Sequence, residues 1–318
     1  MTSDRYGITI PFDGVTLAEH QPLFRELADL GYTDVWSAEV DGTDGFTPLA
    51  LAAAWEPRLQ LGVAVTPAFT RGPALLAQSV AAMAEAAPGR FIFGLGASSA
   101  PVVERWNGIA YERPFDRTRD ALRFIKAAFT GEKVTFESSS FNVQGYKMGR
   151  PPAVPPKILL GALRPQMLRL AGAEADGAIL NWLAASDVKT CAAEVGEDKL
   201  LAARIFVIPT EDADTARAIG RRMIAAYLNV EAYAQFHRWL GRAESLGAMW
   251  DAWGAGDRKG ALEVIPDDVV DALVLHGSMG SCRDQVLAYV EAGIDIPALA
   301  VIPWGVDLRD AIRGLAPA

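Results

Sequence analysis

Residues 61–96 read LGVAVTPAFTRGPALLAQSVAAMAEAAPGRFIFGLG, and this stretch decides the fold class. A short β-branched run stops at Thr66-Pro67, Pro73 opens an amphipathic helix, Gly89 ends it, and RFIFGLG follows as a second buried strand. A helical crossover of this length joins parallel strands. Ligands of such folds bind just past the carboxyl ends of the strands, where the polar and small residues of this stretch lie.

Eight segments along the chain carry the pattern of a buried strand. We predict strands at 6–10, 33–38, 61–65, 90–96, 157–165, 175–182, 203–209 and 298–305. Most are followed by a helical pattern, and 318 residues suffice for one barrel of this kind with insertions. The sequence therefore predicts a single α/β domain over 1–318, a closed (β/α)8 TIM barrel rather than an open sheet.

Two segments interrupt the alternation of strand and helix. Residues 132–156 alternate apolar and polar residues and lead into PPAVPP, a pattern typical of a surface hairpin inserted after strand four. Residues 230–264 are rich in Trp and Tyr and predict a helical insertion between strands seven and eight. Large aromatic side chains need burial, so we expect this segment either to cover the barrel mouth as a substrate lid or to join two subunits.

The composition argues against several classes of function. Hydrophobic residues make up 51% of the chain and charged residues 22%, as in a folded protein with an ample core, and the net charge of −9 argues against nucleic acid or an anionic membrane surface as a partner. Cys191 and Cys282 predict neither a metal site nor a disulfide framework. No secretion signal and no membrane-length apolar run is visible, so we expect a cytoplasmic protein.

Motifs in order along the chain resemble the luciferase-like monooxygenase superfamily. The form TP-x-x-x-R-x-P at 66–73 is similar to the third strand and loop of the branch that uses the deazaflavin coenzyme F420, and GRFIFGLGASS at 89–99 is similar to the next strand and glycine turn. Residues 106–143, 157–179 and 280–305 resemble later elements of the same family. The resemblance implies a TIM barrel, oxidoreductase activity on a small organic molecule, bound F420 or FMN, and a homodimer formed through barrel helices.

Glu39 is the candidate catalytic residue. It ends the second strand, in VWSAEV, where the family commonly has an acidic residue followed by histidine; here Val40 replaces that histidine. The resemblance implies that the carboxylate hydrogen-bonds the cofactor ring or serves as an acid/base group. A salt-bridged residue on the rim is the alternative interpretation.

The candidate cofactor-binding residues lie at the ends of strands three to six. They are Val63, Ala64, Thr66, Pro67, Gly96, Ala97, Ser98, Ser99, Gly161, Ala162 and Asn181. The resemblance implies that Thr66 points toward the deazaflavin and that a non-proline cis peptide bond falls at Val63-Ala64, behind its central ring. Backbone N–H groups and serine hydroxyls after strand four suit a phosphate. An ordinary strand end with a tight turn is the alternative for each motif.

Arginines near the predicted mouth bear on the choice of cofactor. F420 carries a phosphate and an oligoglutamate tail, so a chain of net negative charge needs local cations to bind it. Arg71, Arg105 and Arg164 all follow predicted strand ends and could face the mouth. A solvated surface position fits each of them equally well.

Three functions remain open at the level of sequence. The first is hydride transfer between F420 and a small organic substrate, with the cofactor supplying the hydride. The second is an FMN-dependent monooxygenase of the same fold. The third is a flavin- or deazaflavin-binding protein without turnover, for which the missing histidine after Glu39 gives slight support.

Overall fold

A closed barrel of parallel strands forms the centre of the computed structural model, which describes residues 4–317. The strands are β1 (Gly7–Thr9), β2 (Asp34–Ser37), β3 (Gln60–Val63), β4 (Thr66–Pro67), β5 (Phe91–Gly96), β6 (Lys133–Glu137), β7 (Asn142–Lys147), β8 (Lys157–Gly161), β9 (Gly177–Asn181), β10 (Leu200–Ile208), β11 (Val274–His276) and β12 (Ile296–Val301). The barrel order is β1-β2-β3-β5-β8-β9-β10-β12, and β12 pairs with β1 to close the ring. The predicted (β/α)8 TIM barrel is confirmed.

Helices follow the barrel strands and cover the outside of the ring. They are α1 (His20–Asp29), α2 (Thr47–Trp55), α3 (Pro73–Ala86), α4 (Pro114–Phe129), α5 (Pro165–Glu174), α6 (Val188–Val195), α7 (Ala213–Leu228), α8 (Glu231–Trp239), α9 (Ala243–Gly254), α10 (Arg258–Glu263), α11 (Asp267–Leu273), α12 (Met279–Ala292) and α13 (Leu308–Gly314). Proline in the first turn begins α2 to α5, where its missing N–H has no helical partner to lose. None of the helices within residues 4–317 has the length and apolar character needed to span a bilayer.

The lower half of the barrel is filled by side chains. Trp36 is fully buried there, and a Cβ on Gly62 would come within 2.4 Å of its indole ring, so only glycine leaves room at that position. Apolar side chains from the other strands complete the packing: Ile92, Leu159, Ile179, Ala202, Ile296 and Ala298. The barrel is therefore sealed below and opens only at the carboxyl ends of its strands.

The third predicted strand is divided into two pieces. β3 ends at Val63, and β4 pairs with the end of β5 after a break. The non-proline cis peptide bond lies at Ala64-Val65, so its predicted position at Val63-Ala64 is wrong by one residue. The physical reason is that the pairing with β2 still includes Ala64, whose N–H donates to Ser37 O at 2.7 Å, so the break in the strand comes after this residue.

Two insertions interrupt the barrel, and both are of the predicted kind. β6 and β7 form an antiparallel hairpin after α4, which we call the hairpin (residues 133–147). Helices α8 to α10, which we call the helical insertion (residues 231–263), lie between β10 and β12. The short strand β11 was not predicted, because its three residues follow α11 directly without a turn signal; it pairs with the end of β10.

Candidate active site

A cavity of about 940 Å³ opens at the carboxyl ends of the barrel strands. Its wall is formed by the segments that follow β2, β3, β5 and β8, by residues within β9 and β10, and by residues of α7 and of the helical insertion. A volume of this size suits a large cofactor and a small second ligand together. The mouth of the barrel is therefore the candidate active site.

Most of the residues predicted from sequence lie on the wall of this cavity. They are Glu39, Ala64, Gly96, Ala97, Ser98, Ser99, Gly161, Ala162 and Asn181. Val63, Thr66 and Pro67 are buried and do not reach it. Thr66 Oγ1 has no hydrogen-bond partner and faces Gly45, where an added Cβ would lie 3.5 Å away. The threonine therefore supports the wall from behind, on the side of the loop that follows β2.

Val65 is a wall residue that the sequence analysis missed. Its side chain stands between two glycine strand ends: a Cβ on Gly96 would lie 2.5 Å from Val65 Cγ2, and one on Gly161 would lie 3.0 Å from Cγ1. Glycine at these two positions lets the valine project between β5 and β8 into the cavity. The signal for this residue was present in the two glycines, but the cis peptide bond was predicted one residue too early, at Val63-Ala64.

Glu39 lies at the cavity wall and is held by three donors. Its carboxylate accepts hydrogen bonds from Gly45 N–H (3.0 Å) and Thr70 Oγ1 (3.2 Å) and forms a salt bridge with Arg71. The Arg71 guanidinium in turn lies 5.0 Å from the centre of the Phe46 ring. Glu39 therefore faces the cavity and is salt-bridged on the rim at the same time, and its role as a catalytic group stays a prediction. Arg71 is not on the wall, because its charge is directed to Glu39.

The loop after β5 and the start of α5 form a cationic corner of the cavity. Ser98 has a positive φ of 61°, and Arg105 and Arg164 both line the cavity. No carboxylate in residues 4–317 forms a salt bridge with either arginine. The ten-residue helix α5 begins at this corner, and its amino end adds partial positive charge. This arrangement suits a phosphate or another anion.

Tyr111 closes the cationic corner from one side. Its hydroxyl donates to Ser98 O at 3.0 Å, which fixes the serine loop against the rim. Burial raises the pKa of Tyr111 to about 12, and the positive charge of Arg164 acts in the opposite direction. The phenol therefore remains a proton donor at neutral pH.

The helical insertion supplies the wall opposite Val65. Tyr233 of α8 reaches the barrel, where its hydroxyl accepts a hydrogen bond of 2.9 Å from Asn181 Nδ2. Burial raises the pKa of Tyr233 to about 12. Trp253 also lines the cavity, and the Arg258 guanidinium stacks 4.0 Å from its ring centre. The aromatic content of this segment was visible in the sequence, but which aromatic side chains face the ligand was not.

Comparisons with known proteins place the chain in a family. A family model described as luciferase-like monooxygenase matches residues 4–295. A 5,10-methylenetetrahydromethanopterin reductase of Methanolobus tindarius is 27% identical over 328 aligned positions that cover 97% of each chain. The match therefore extends over the barrel and both insertions.

Solved structures share the fold at lower identity. The coenzyme F420-dependent tetrahydromethanopterin reductase of Methanopyrus kandleri superposes with a TM-score of 0.79 at 20% identity, over 98% of this chain and 97% of that chain. The oxygenating constituent of 3,6-diketocamphane monooxygenase of Pseudomonas putida, solved with FMN, has a TM-score of 0.67 at 17% identity, over 99% and 97% of the two chains. One barrel thus occurs among neighbours with either cofactor.

Proposed function

Because the chain belongs to the luciferase-like monooxygenase family, we propose that it is an F420-dependent oxidoreductase acting on a small organic substrate. The proposal rests on two features of one cavity. The Val65 side chain projects into it between Gly96 and Gly161, and Arg105 and Arg164 form the cationic corner of its wall. A relative that is 27% identical over 97% of the chain, a methylenetetrahydromethanopterin reductase, supports a reductase rather than an oxygenase.

The cavity residues fit such a cofactor. Gly96 and Gly161 carry no side chain beside Val65, so the valine presents an apolar surface against which a planar ring system would pack. Ser98, Arg105 and Arg164 offer hydroxyl, backbone and guanidinium donors for a phosphate and for the carboxylates of a glutamate tail. When bound, the deazaflavin would supply or accept a hydride at its C5 atom.

Glu39 would contribute through its carboxylate at the cavity wall. Thr70 and Arg71 hold Oε1, and Gly45 N–H holds Oε2, so the group has one fixed orientation toward the ligand. We propose that it orients the reactants and exchanges a proton with the bound molecule at one of these oxygens. Asp41 also lines the cavity, but Glu39 is the carboxylate that Gly45, Thr70 and Arg71 hold in place.

The choice of cofactor is tested by fluorescence titration of F420 and FMN into the protein. We expect F420 to bind more tightly, because Arg105 and Arg164 provide more positive charge than a single phosphate needs. Arg164→Met should weaken F420 binding by about tenfold, which is the effect of losing one charge-assisted hydrogen bond, and should weaken FMN binding by less. A lower dissociation constant for FMN would overturn the assignment in favour of the monooxygenase.

The variant Glu39→Gln distinguishes a role of Glu39 in turnover from a role in cofactor binding. We expect this change to reduce F420-linked turnover more than F420 binding, because a proton-transferring group acts chiefly in the transition state. Anaerobic reduction of bound F420 by candidate substrates provides the assay and distinguishes an enzyme from a non-catalytic binding protein. Equal losses in turnover and binding would assign Glu39 to ring positioning alone.

We also propose that the protein is a homodimer formed through the outer helices α2 and α3. Leu75 on α3 supports this, since 57% of its surface is exposed and a large apolar side chain in that position suits an interface. Sedimentation of the wild type should give a dimer, and Leu75→Glu should shift it toward monomer. A monomeric wild type at micromolar concentration contradicts the proposal.

A further inference from the structure

Polar side-chain atoms without a protein partner lie at the bottom of the cavity. Thr9 Oγ1, Trp36 Nε1, Asn181 Oδ1 and Arg204 Nε are all buried and make no hydrogen bond within residues 4–317. They belong to β1, β2, β9 and β10. Buried polar groups in folded proteins are nearly always paired, so their concentration on one surface indicates a bound group that completes them.

Arg204 carries the only full charge of this group. It pairs in register with Asn181 on the neighbouring strand, so both side chains share the inner face of the barrel. Arg204 lines the main cavity and also a recess of about 10 Å³ beneath it, which Thr9 and Trp36 help to form. Space of that size holds about one water-sized atom, such as a single oxygen.

The charge of Arg204 is not neutralised by the protein. No carboxylate in the described part of the chain forms a salt bridge with it, whereas Glu39 is already bound to Arg71. The guanidinium lies 4.9 Å from the centre of the Phe206 ring, a contact that leaves its N–H groups available. A partly buried cation without a counter-charge is costly, and an anionic ligand would remove that cost.

Tyr233 and Asn181 supply the polar groups beside Arg204, next to the position where an anion would bind. Because Asn181 Nδ2 donates to the Tyr233 hydroxyl, the phenolic proton is free to reach a second acceptor. Asn181 Oδ1 remains as an unpaired acceptor next to Arg204. The surface thus offers donors for an oxyanion and, alongside, one acceptor for a hydroxyl or amino group.

This surface is distinct from the cationic corner that suits the cofactor phosphate. Arg105 and Arg164 follow β5 and β8, whereas Arg204 is on β10, two strands further around the ring. Tyr111, Ser98 and the amino end of α5 belong to the cationic corner, whereas Asn181 and Tyr233 lie beside Arg204, so the two regions have different polar neighbours.

We infer that Arg204 determines substrate specificity by binding a carboxylate group, with one oxygen in the recess beside Thr9 and Trp36. Asn181 and Tyr233 bind a hydroxyl or amino group next to that carboxylate. The substrate class is a small carboxylic acid that carries such a substituent. The inference depends on the proposed function only in treating this ligand as the substrate of an F420 enzyme.

The test is an NMR titration of the F420-saturated protein with glycolate, inorganic phosphate and the neutral analogue ethylene glycol. We expect glycolate to bind in preference to both of the others. Arg204→Met should weaken glycolate at least about tenfold while F420 affinity changes less than about twofold, and Arg204→Lys should retain part of the binding. Arg238→Met is the matched control, because that arginine also stacks on an aromatic ring, 4.2 Å from the centre of Trp250, but does not line the cavity. It should leave glycolate binding unchanged.

Several outcomes overturn the inference. Unchanged glycolate binding in Arg204→Met would remove Arg204 from the site, and an equal loss of F420 affinity would assign it to the cofactor. Tighter binding of phosphate than of glycolate would refute the assignment of the substrate as a carboxylic acid. If Arg204→Met does not fold, Arg204→Gln, which keeps donors without the charge, makes the same comparison. Glycolate binding that depends on Arg204 in a protein unable to bind F420 would sustain the inference while refuting the proposed function.

Discussion

The hairpin and the helical insertion are both aromatic additions to the same barrel, yet only one of them reaches the ligand cavity. The hairpin packs Phe136 and Phe141 against Phe124 of α4, with ring centres 5.8 and 6.0 Å away. None of the hairpin residues lines the cavity, whereas Tyr233 and Trp253 of the helical insertion do. Aromatic content therefore does not distinguish an insertion that lines the cavity from one that packs elsewhere on the barrel.

The direction of the preceding helix explains the difference. α4 begins at the cavity, where Pro114 and Phe115 line the wall, and the hairpin follows its far end. α7 ends at the cavity, where Ala226 and Tyr227 line the wall, so the helical insertion that follows it starts at the mouth of the barrel. The end of the barrel at which the preceding helix stops thus decides whether an insertion can line the cavity.

The largest expected difference between the two insertions is in stability. Phe236 of the helical insertion is completely buried and belongs to the main core, so Phe236→Ala should cost about 3–5 kcal/mol in the free energy of unfolding. Phe136 of the hairpin is only half-buried, and Phe136→Ala should cost about 1–2 kcal/mol. Urea unfolding of both variants measures this; similar losses would mean that the hairpin is as integral to the core as the helices.

Lowering the pH should destabilise the helical insertion before it destabilises the hairpin. Burial, reinforced by the charge of Arg242, lowers the pKa of His237 from 6.5 to about 3, so this imidazole stays neutral in the fold but is protonated in the unfolded chain below pH 6.5. Stability is therefore lost as pH falls from 6.5 toward 3, at about 1.4 kcal/mol per pH unit.

Replacing the histidine checks the cause of this acid sensitivity. Between pH 7 and pH 5 the wild type should lose about 2 kcal/mol through this group, and His237→Leu should lack that part of the slope. Hydrogen exchange at pH 5 should rise in residues 231–263 before residues 133–147. Parallel slopes for the wild type and His237→Leu would exclude the imidazole as the cause.

The smallest expected difference between the two insertions comes from removing one tyrosine hydroxyl group in each. Tyr233→Phe removes the acceptor of Asn181 Nδ2 at the cavity wall, so we expect a loss of about 1 kcal/mol in substrate binding and an unchanged sedimentation coefficient. Tyr146→Phe is the matched change in the hairpin, where the phenol oxygen has no hydrogen-bond partner, and it should leave turnover unaltered.

The same pair of variants tests whether the helical insertion is a lid or a subunit interface. A lid requires Tyr233→Phe to raise the KM of the substrate while the assembly is unchanged. Dissociation of the assembly with an intact KM would instead make the insertion an interface. Point variants are preferable to deletion of the segment, because Phe236, Leu246 and Met249 are completely buried and their removal would expose the core.

Short-range patterns were sufficient for the barrel and for many of the strand-end residues on the cavity wall. Glu39, Gly96 and Gly161 were found because a glycine or an acidic residue that closes a buried strand is visible within a few residues. Val65 was missed because a shift of one residue at a strand break reverses which side chain faces the cavity. Tyr233 could not be assigned, since its contact with Asn181 spans 52 residues and depends on how three helices pack.

Trp36 and its apolar neighbours fill the base of the barrel, so the cofactor and the substrate of the proposed enzyme would both be exchanged through the mouth. With no passage through the base, two molecules held in the cavity together share one entrance. Whichever lies deeper must arrive first and depart last, so steady-state kinetics should follow a compulsory-order scheme. An excess of the outer ligand should then trap the inner one and slow its release.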